Sequence, residues 1–228
     1  MHRSRKYVTA SIAFGLFLAS FFLFRAVFTR GQEARTRDAE FSRSTWSRVV
    51  DVDKPAINAV TSAEETIIRW QLSKLTLAVR AAIVSITVTD DASLYPHRNT
   101  RAMCDYSRRI WIKHSSLVVY PFDVCHEAYH AYLIHLLDES DSGFRSCWSV
   151  IPLEPLTKYG KESMQEEVAE WGEHFQLAIN GQSSVFDRLK ASSPQITRSA
   201  YLEKARVLLT YGFVDEGQYE RFRRFLTE

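Results

Sequence analysis

The sequence predicts an α+β fold, and three observations carry that expectation. A short run near residue 86 alternates apolar and polar residues, and two less regular runs near 104 and 111 also read as strands. Two long stretches of helical period follow, starting near residues 123 and 163. Strands first and helices afterwards is the order of a segregated α+β domain. The expected architecture is a small antiparallel sheet beside the first long helix, a helical C-terminal part, and a separate apolar segment at the N-terminus.

Taken in chain order, "HRSRK" precedes an uncharged, mostly apolar run from Tyr7 to Phe24. Those 18 residues fall within the length that spans a bilayer. The run ends in "FFLFRAVFTR", with no small-residue cleavage site, so residues 1–30 read as an uncleaved single-pass signal anchor. The domain beyond it is expected outside the cytoplasm, although Arg25 and Arg30 on the far flank weaken the orienting charge bias. Residues 31–60 are Arg-rich, lack an apolar period and read as a charged stem, leaving 61–228 as the globular domain. Residues 1–50 hold nine Arg/Lys against three Asp/Glu, a net of +6, so the rest of this +2 chain sums to −4. An acidic domain gives no electrostatic reason to expect nucleic acid as a partner. The expected partners are the membrane, through the N-terminal segment, and a peptide or protein substrate, with the chain acting as a monomer.

Ser62 and Glu65 have capping-box spacing ahead of a helical period from Ile67 to Val79. In "VSITVT", Val84, Ile86 and Val88 alternate with Ser85, Thr87 and Thr89, the pattern of a half-buried strand. "DDASLYPHRNT" reads as a loop, and "RAMCDYSRRIWIK" as one or two further strands. Pro121 and Asp123 open a helix that runs to Asp138. A connector containing Gly143, Pro152, Pro155 and Gly160 leads to a helix from Ser163 to the stop signal Asn180-Gly181. Helices near 197–211 and 215–227, separated by Gly212, complete the chain. Three cysteines are too few for a disulfide framework. In an oxidising compartment one bridge is expected, between Cys104 and Cys147, with Cys125 packed as a small apolar group.

The chemistry concentrates in the first long helix, where His126, Glu127 and His130 spell H-E-x-x-H. Residues four apart lie about 40° from each other around a helix, so both imidazoles project from one face and can share a metal ion. Glu127 points elsewhere, within reach of a water at that ion without ligating it. Two imidazoles and a carboxylate suit Zn²⁺ with one position left open. Leu133 and Leu136 stand where a metzincin needs Gly and His. The third ligand must come from another element, and Glu166 and Glu170, four apart on the next helix, are the candidates. Either could bind while the other supports the ligands. Ser163 and Glu166 are also spaced as a capping box, which would occupy Glu166 with its own helix. Glu167 and Glu173 read as solvated. His174 as a ligand would need the second helix to slide two turns. His135 reads as a packing or surface residue, and His97 and His114 as bystanders.

"YGKESMQEEVAE", from Tyr159 to Glu170, resembles the Y-G-(x6)-E-x-x-A-E segment of gluzincins similar to anthrax lethal factor and the Pro-Pro endopeptidases. With H-E-x-x-H, the resemblance covers about residues 121–175. It implies a zincin-like zinc metallopeptidase with His126, His130 and Glu166 as zinc ligands and Glu127 as general base. It also implies that Tyr159 contacts the site as a second catalytic group and that Glu170 is a supporting residue or reserve ligand. In zincins an edge strand binds extended substrate through its backbone, and "SRRIWIK" is the expected strand. The competing expectation is a binding or regulatory protein that keeps the zinc site without cleaving. Glu127, which such a site does not need, argues against it. A second competitor is a structural membrane protein with no metal.

Overall fold

The computed structural model of the chain describes residues 55–228 apart from 98, 121, 139–141, 193–194 and 228. The expected membrane segment and residues 31–54 of the expected stem lie outside the described residues. No helix among those described is long and apolar enough to cross a membrane.

The structure is α+β and mostly helical, with one four-stranded sheet. Strand β1 is Ala56–Asn58, within the stretch expected to be stem. Helix α1, Ser62–Leu72, is capped by Thr61, one residue before the expected cap Ser62. Thr61 accepts a hydrogen bond from the Glu64 backbone, and the Glu64 carboxylate accepts one from Thr61 N–H. The single period expected from Ile67 to Val79 is broken between Leu72 and Thr76, where the side chain of Thr76 caps a second helix, α2, Leu77–Ala82. Strands β2, Ser85–Val88, β3, Ala102–Cys104, and β4, Arg109–Ile112, follow.

The sheet order is β1-β2-β4-β3, and the sheet is mixed where an antiparallel one was expected. β1 and β4 both run parallel to β2, and only β3 runs antiparallel to β4. The cause is the connections: two helices lie between β1 and β2, and a crossover of that kind returns the chain in the same direction. A second correction concerns "SRRIWIK". Its strand, β4, is internal, because β3 folds back through the turn at 105–108 and pairs along its outer side. β3 is the edge. At the turn, Arg108 takes φ 61° and its N–H bonds Asp105 O at 2.8 Å.

Ile86, Val88, Ile110 and Ile112 form the buried face of the sheet. Short helix α3, His114–Val119, leads into α4, Asp123–Asp138, the span read from the sequence. Helix α4 packs on β3, β4 and α2, and its other flank meets α6, Met164–Ile179. Between them lies α5, Ser142–Ser149, read from sequence as connector. Helix α6 ends at Asn180, with Gly181 at φ 70° and Gln182 N–H bonded to Leu177 O, which closes the last turn. Helices α7, Val185–Ser192, α8, Gln195–Thr210, and α9, Glu216–Thr227, close the chain. They bury an aromatic cluster of Trp171, Phe186, Tyr201 and Phe222, with ring centroids 4.9–6.4 Å apart.

Candidate metal centre

The centre lies where α4 meets the first turn of α6. Ser163 starts α6 by accepting a hydrogen bond from Glu166 N–H at 3.1 Å. Glu166 thus gives its backbone to the cap and its carboxylate to the histidines, so the cap and the ligand role do not compete. Glu166 Oε2 lies 3.2 Å from His130 Nε2 and 3.5 Å from His126 Nε2, and the two Nε2 atoms are 3.2 Å apart. A tetrahedral ion with bonds of about 2.0–2.1 Å places its donors about 3.3–3.4 Å from each other. The triangle is therefore one open face of such a coordination shell. His126, His130 and Glu166 form a group that could hold a metal ion.

The surroundings favour positive charge at this point. His126 Nδ1 lies 3.1 Å from Glu173 Oε2, so that with a proton on Nδ1 donated to Glu173 the Nε2 lone pair would face the triangle. Burial works against a charged His126, yet bonds to Glu166 and Glu173 and the charge of Glu127 raise its pKa well above the ordinary value. Burial pushes the Glu166 carboxyl upward, but bonds from His126 and His130 outweigh it and hold Glu166 well below the usual range. Glu173 is lowered in the same sense, burial being overcome by its bond to His126. In metal-binding proteins a carboxylate behind a ligating histidine fixes the tautomer and raises ligand basicity. Glu173, read as solvated from the sequence, has that position.

Glu127 is buried at 7% exposure beside the triad. Burial raises its pKa, with Glu166 and Glu173 adding to the rise and the two histidines opposing it. Its charge also reaches Cys104 on β3. Tyr159 begins a single 3₁₀ turn, Tyr159–Lys161. Its ring centroid is 6.3 Å from that of His126, near-parallel at 30°. Burial raises its phenol pKa, and the nearby Glu166 carboxylate adds to the rise. Glu170 is not in the triad: one carboxylate oxygen accepts from the Thr157 hydroxyl and the other faces Gly160.

The other histidines separate cleanly. His174 is outside the triad, His114 bonds Glu64, and His135 packs against the Tyr132 ring. His97 lines the cleft. Glu167, also read as solvated, takes the indole N–H of Trp148 at 3.0 Å and an ion pair from Lys204. Lys204 is buried against the faces of Trp148 and Trp171. No disulfide joins Cys104 to Cys147: Cys125 is buried among Gln71 and the core, and Cys147 Sγ accepts from the Tyr211 hydroxyl.

The triad, Glu127 and Tyr159 open into a cleft of about 1130 Å³. One wall is β3, together with Arg101 just before it. Asp123 lies at the base of this wall, 4% exposed, 3.4 Å from the Arg101 guanidinium, with its second oxygen buried and without a hydrogen bond. Sequence reasoning missed Glu173, Asp123 and Thr157. For Glu173 a signal exists, since it follows Glu166 by seven residues and shares its helix face. No family model, curated protein or solved structure matches the chain.

Proposed function

We propose that the chain is a zinc-dependent peptidase. The observation that carries the reading is the 3.2, 3.2 and 3.5 Å donor triangle with Glu127 buried next to it and an open cleft in front. Two imidazoles and one carboxylate at tetrahedral spacing, with a fourth direction facing a cleft, are the donor set of hydrolytic zinc. His126, His130 and Glu166 would hold the ion, which supplies a Lewis acid that polarises a carbonyl and acidifies water.

The chain's own residues supply the rest. Glu127 accepts the proton of the attacking water as the new C–O bond forms, then delivers it to the amine nitrogen as the C–N bond breaks. Its burial beside the triad keeps it out of bulk water and within reach of the reacting groups. Tyr159, its ring near-parallel to that of His126, offers its hydroxyl to the developing oxyanion, where a donor strengthens as charge grows. Extended substrate lies along β3, the edge strand whose outer side faces the cleft, and gains backbone hydrogen bonds there. The N-terminal apolar run of the sequence supports a single-pass membrane protein with this domain outside the cytoplasm; recovery of the full chain in the soluble fraction would count against that. A peptide-library cleavage assay tests the activity. Chelator-sensitive cleavage restored by zinc supports the reading, and cleavage indifferent to chelator removes it.

A further inference from the structure

Glu170 has an arrangement that metal ligation does not explain. Its carboxylate is 7% exposed, and burying a carboxylate is costly unless it is held by hydrogen bonds. One oxygen accepts from the Thr157 hydroxyl. The same hydroxyl oxygen accepts from the backbone N–H groups of Tyr159, at 3.0 Å, and Gly160, at 3.4 Å. The second oxygen lies over Gly160, where an added Cβ would stand 2.7 Å from it and 3.4 Å from Glu167 Cα. The carboxylate thus fills the space a side chain at 160 would take. The residue this turn turns outward is Tyr159, stacked near His126.

We propose that Glu170 and Thr157 form a latch that fixes the Tyr159–Lys161 turn to α6 and so positions Tyr159 over the centre, with Gly160 as the gap that admits the latch. Glu170 is a positioning residue here: it acts through Thr157 and touches no reacting atom. The placing of Tyr159 for catalysis rests on the peptidase reading; the latch itself does not.

Lys158 precedes the turn and Lys161 ends it, and both are exposed, so trypsin reports its opening. In the full-length chain, Thr157→Val and Glu170→Ala should each speed cleavage after Lys158 or Lys161 by about 10-fold or more, the scale of losing a hydrogen bond to a charged group. Glu170→Gln keeps an acceptor for the Thr157 hydroxyl and should stay near the native rate. Zinc content should be equal in all of them. On a peptide the native chain cleaves, Thr157→Val should lower kcat with KM nearly constant, and should add nothing to Tyr159→Phe. Thr157→Val is nearly isosteric, which keeps the test open if Glu170→Ala fails to fold. Native cleavage rates after Lys158 and Lys161 in Thr157→Val would overturn the latch. Zinc loss in Glu170→Ala would make Glu170 a support of the ligands instead. Additive effects of Thr157→Val and Tyr159→Phe would overturn the positioning role. If the native chain cleaves no peptide, the peptidase reading fails, and the trypsin rates alone still decide the latch.

Discussion

Gly172 is where the two ligand-bearing helices touch, and Gly172→Ala should damage both the fold and the centre. A Cβ there would lie 2.4–2.5 Å from three ring atoms of Tyr129 on α4. Carbon atoms in contact normally stand about 3.5–4.0 Å apart, so the ring or the helix must move by about 1 Å. Tyr129 has little room to yield. It is fully buried, its hydroxyl takes a bond from Gln176 Nε2 at 3.2 Å, and its ring stacks on Phe213 at 5.5 Å. Overpacking of this kind costs about 1–3 kcal/mol. Losing the Tyr129–Gln176 bond adds about 1 kcal/mol, and the better helix propensity of alanine returns about 1 kcal/mol. The net is about 2 kcal/mol, a fall in Tm of roughly 4–8 °C for a domain of this size. Because His126 and His130 flank Tyr129 while Glu166 sits on the displaced helix, zinc affinity should fall as well. Thermal unfolding by circular dichroism and competition with a chromophoric chelator measure the two effects. A variant with native Tm and native zinc affinity would refute the close approach of α4 and α6 at this residue.

Two further expectations follow from the groups around the centre. Glu173→Ala should weaken zinc binding by about 10–100-fold while leaving the three donors in place, measured by chelator competition; unchanged affinity would dismiss the Glu173–His126 contact as incidental. Asp123 makes stability depend on pH. Burial, with Glu173 and Glu127 adding and Arg101 opposing, raises it from an ordinary 3.8 to about 7. The folded chain then keeps a proton that the unfolded chain releases, so stability falls as pH rises from about 4 to about 7, by at most about 1.4 kcal/mol per unit. Denaturant unfolding of chelator-treated protein should show this slope reduced in Asp123→Asn, and an equal slope in both would contradict the raised pKa.

The legible parts of the sequence were those where a local pattern and a local stop signal agree. Helix α4 reads from Asp123 to Asp138 because Pro121 and Asp123 open an unbroken helical stretch, and α6 runs between the caps Ser163 and Asn180. H-E-x-x-H places two donors on one face from spacing alone, and the second motif supplies Glu166. What stayed hidden depends on packing between distant segments. β1 has three residues and becomes a strand only by pairing with β2, so its direction and the mixed sheet carry no local mark. Helices α5 and α7 have eight residues each, too few for a clear period. Glu167 and Glu173 look like surface acids until Lys204 and His126 arrive from elsewhere in the chain. The outer position of β3 follows from one hairpin turn.

Glu127→Gln tests the central claim most directly. Glutamine keeps the size and polarity of this buried side chain but cannot accept the proton of water. The account predicts one zinc per chain, as in the native protein, native Tm, and cleavage of a library-selected peptide slowed by about 10²–10⁴-fold. Cleavage near the native rate by a zinc-loaded Glu127→Gln chain would contradict it.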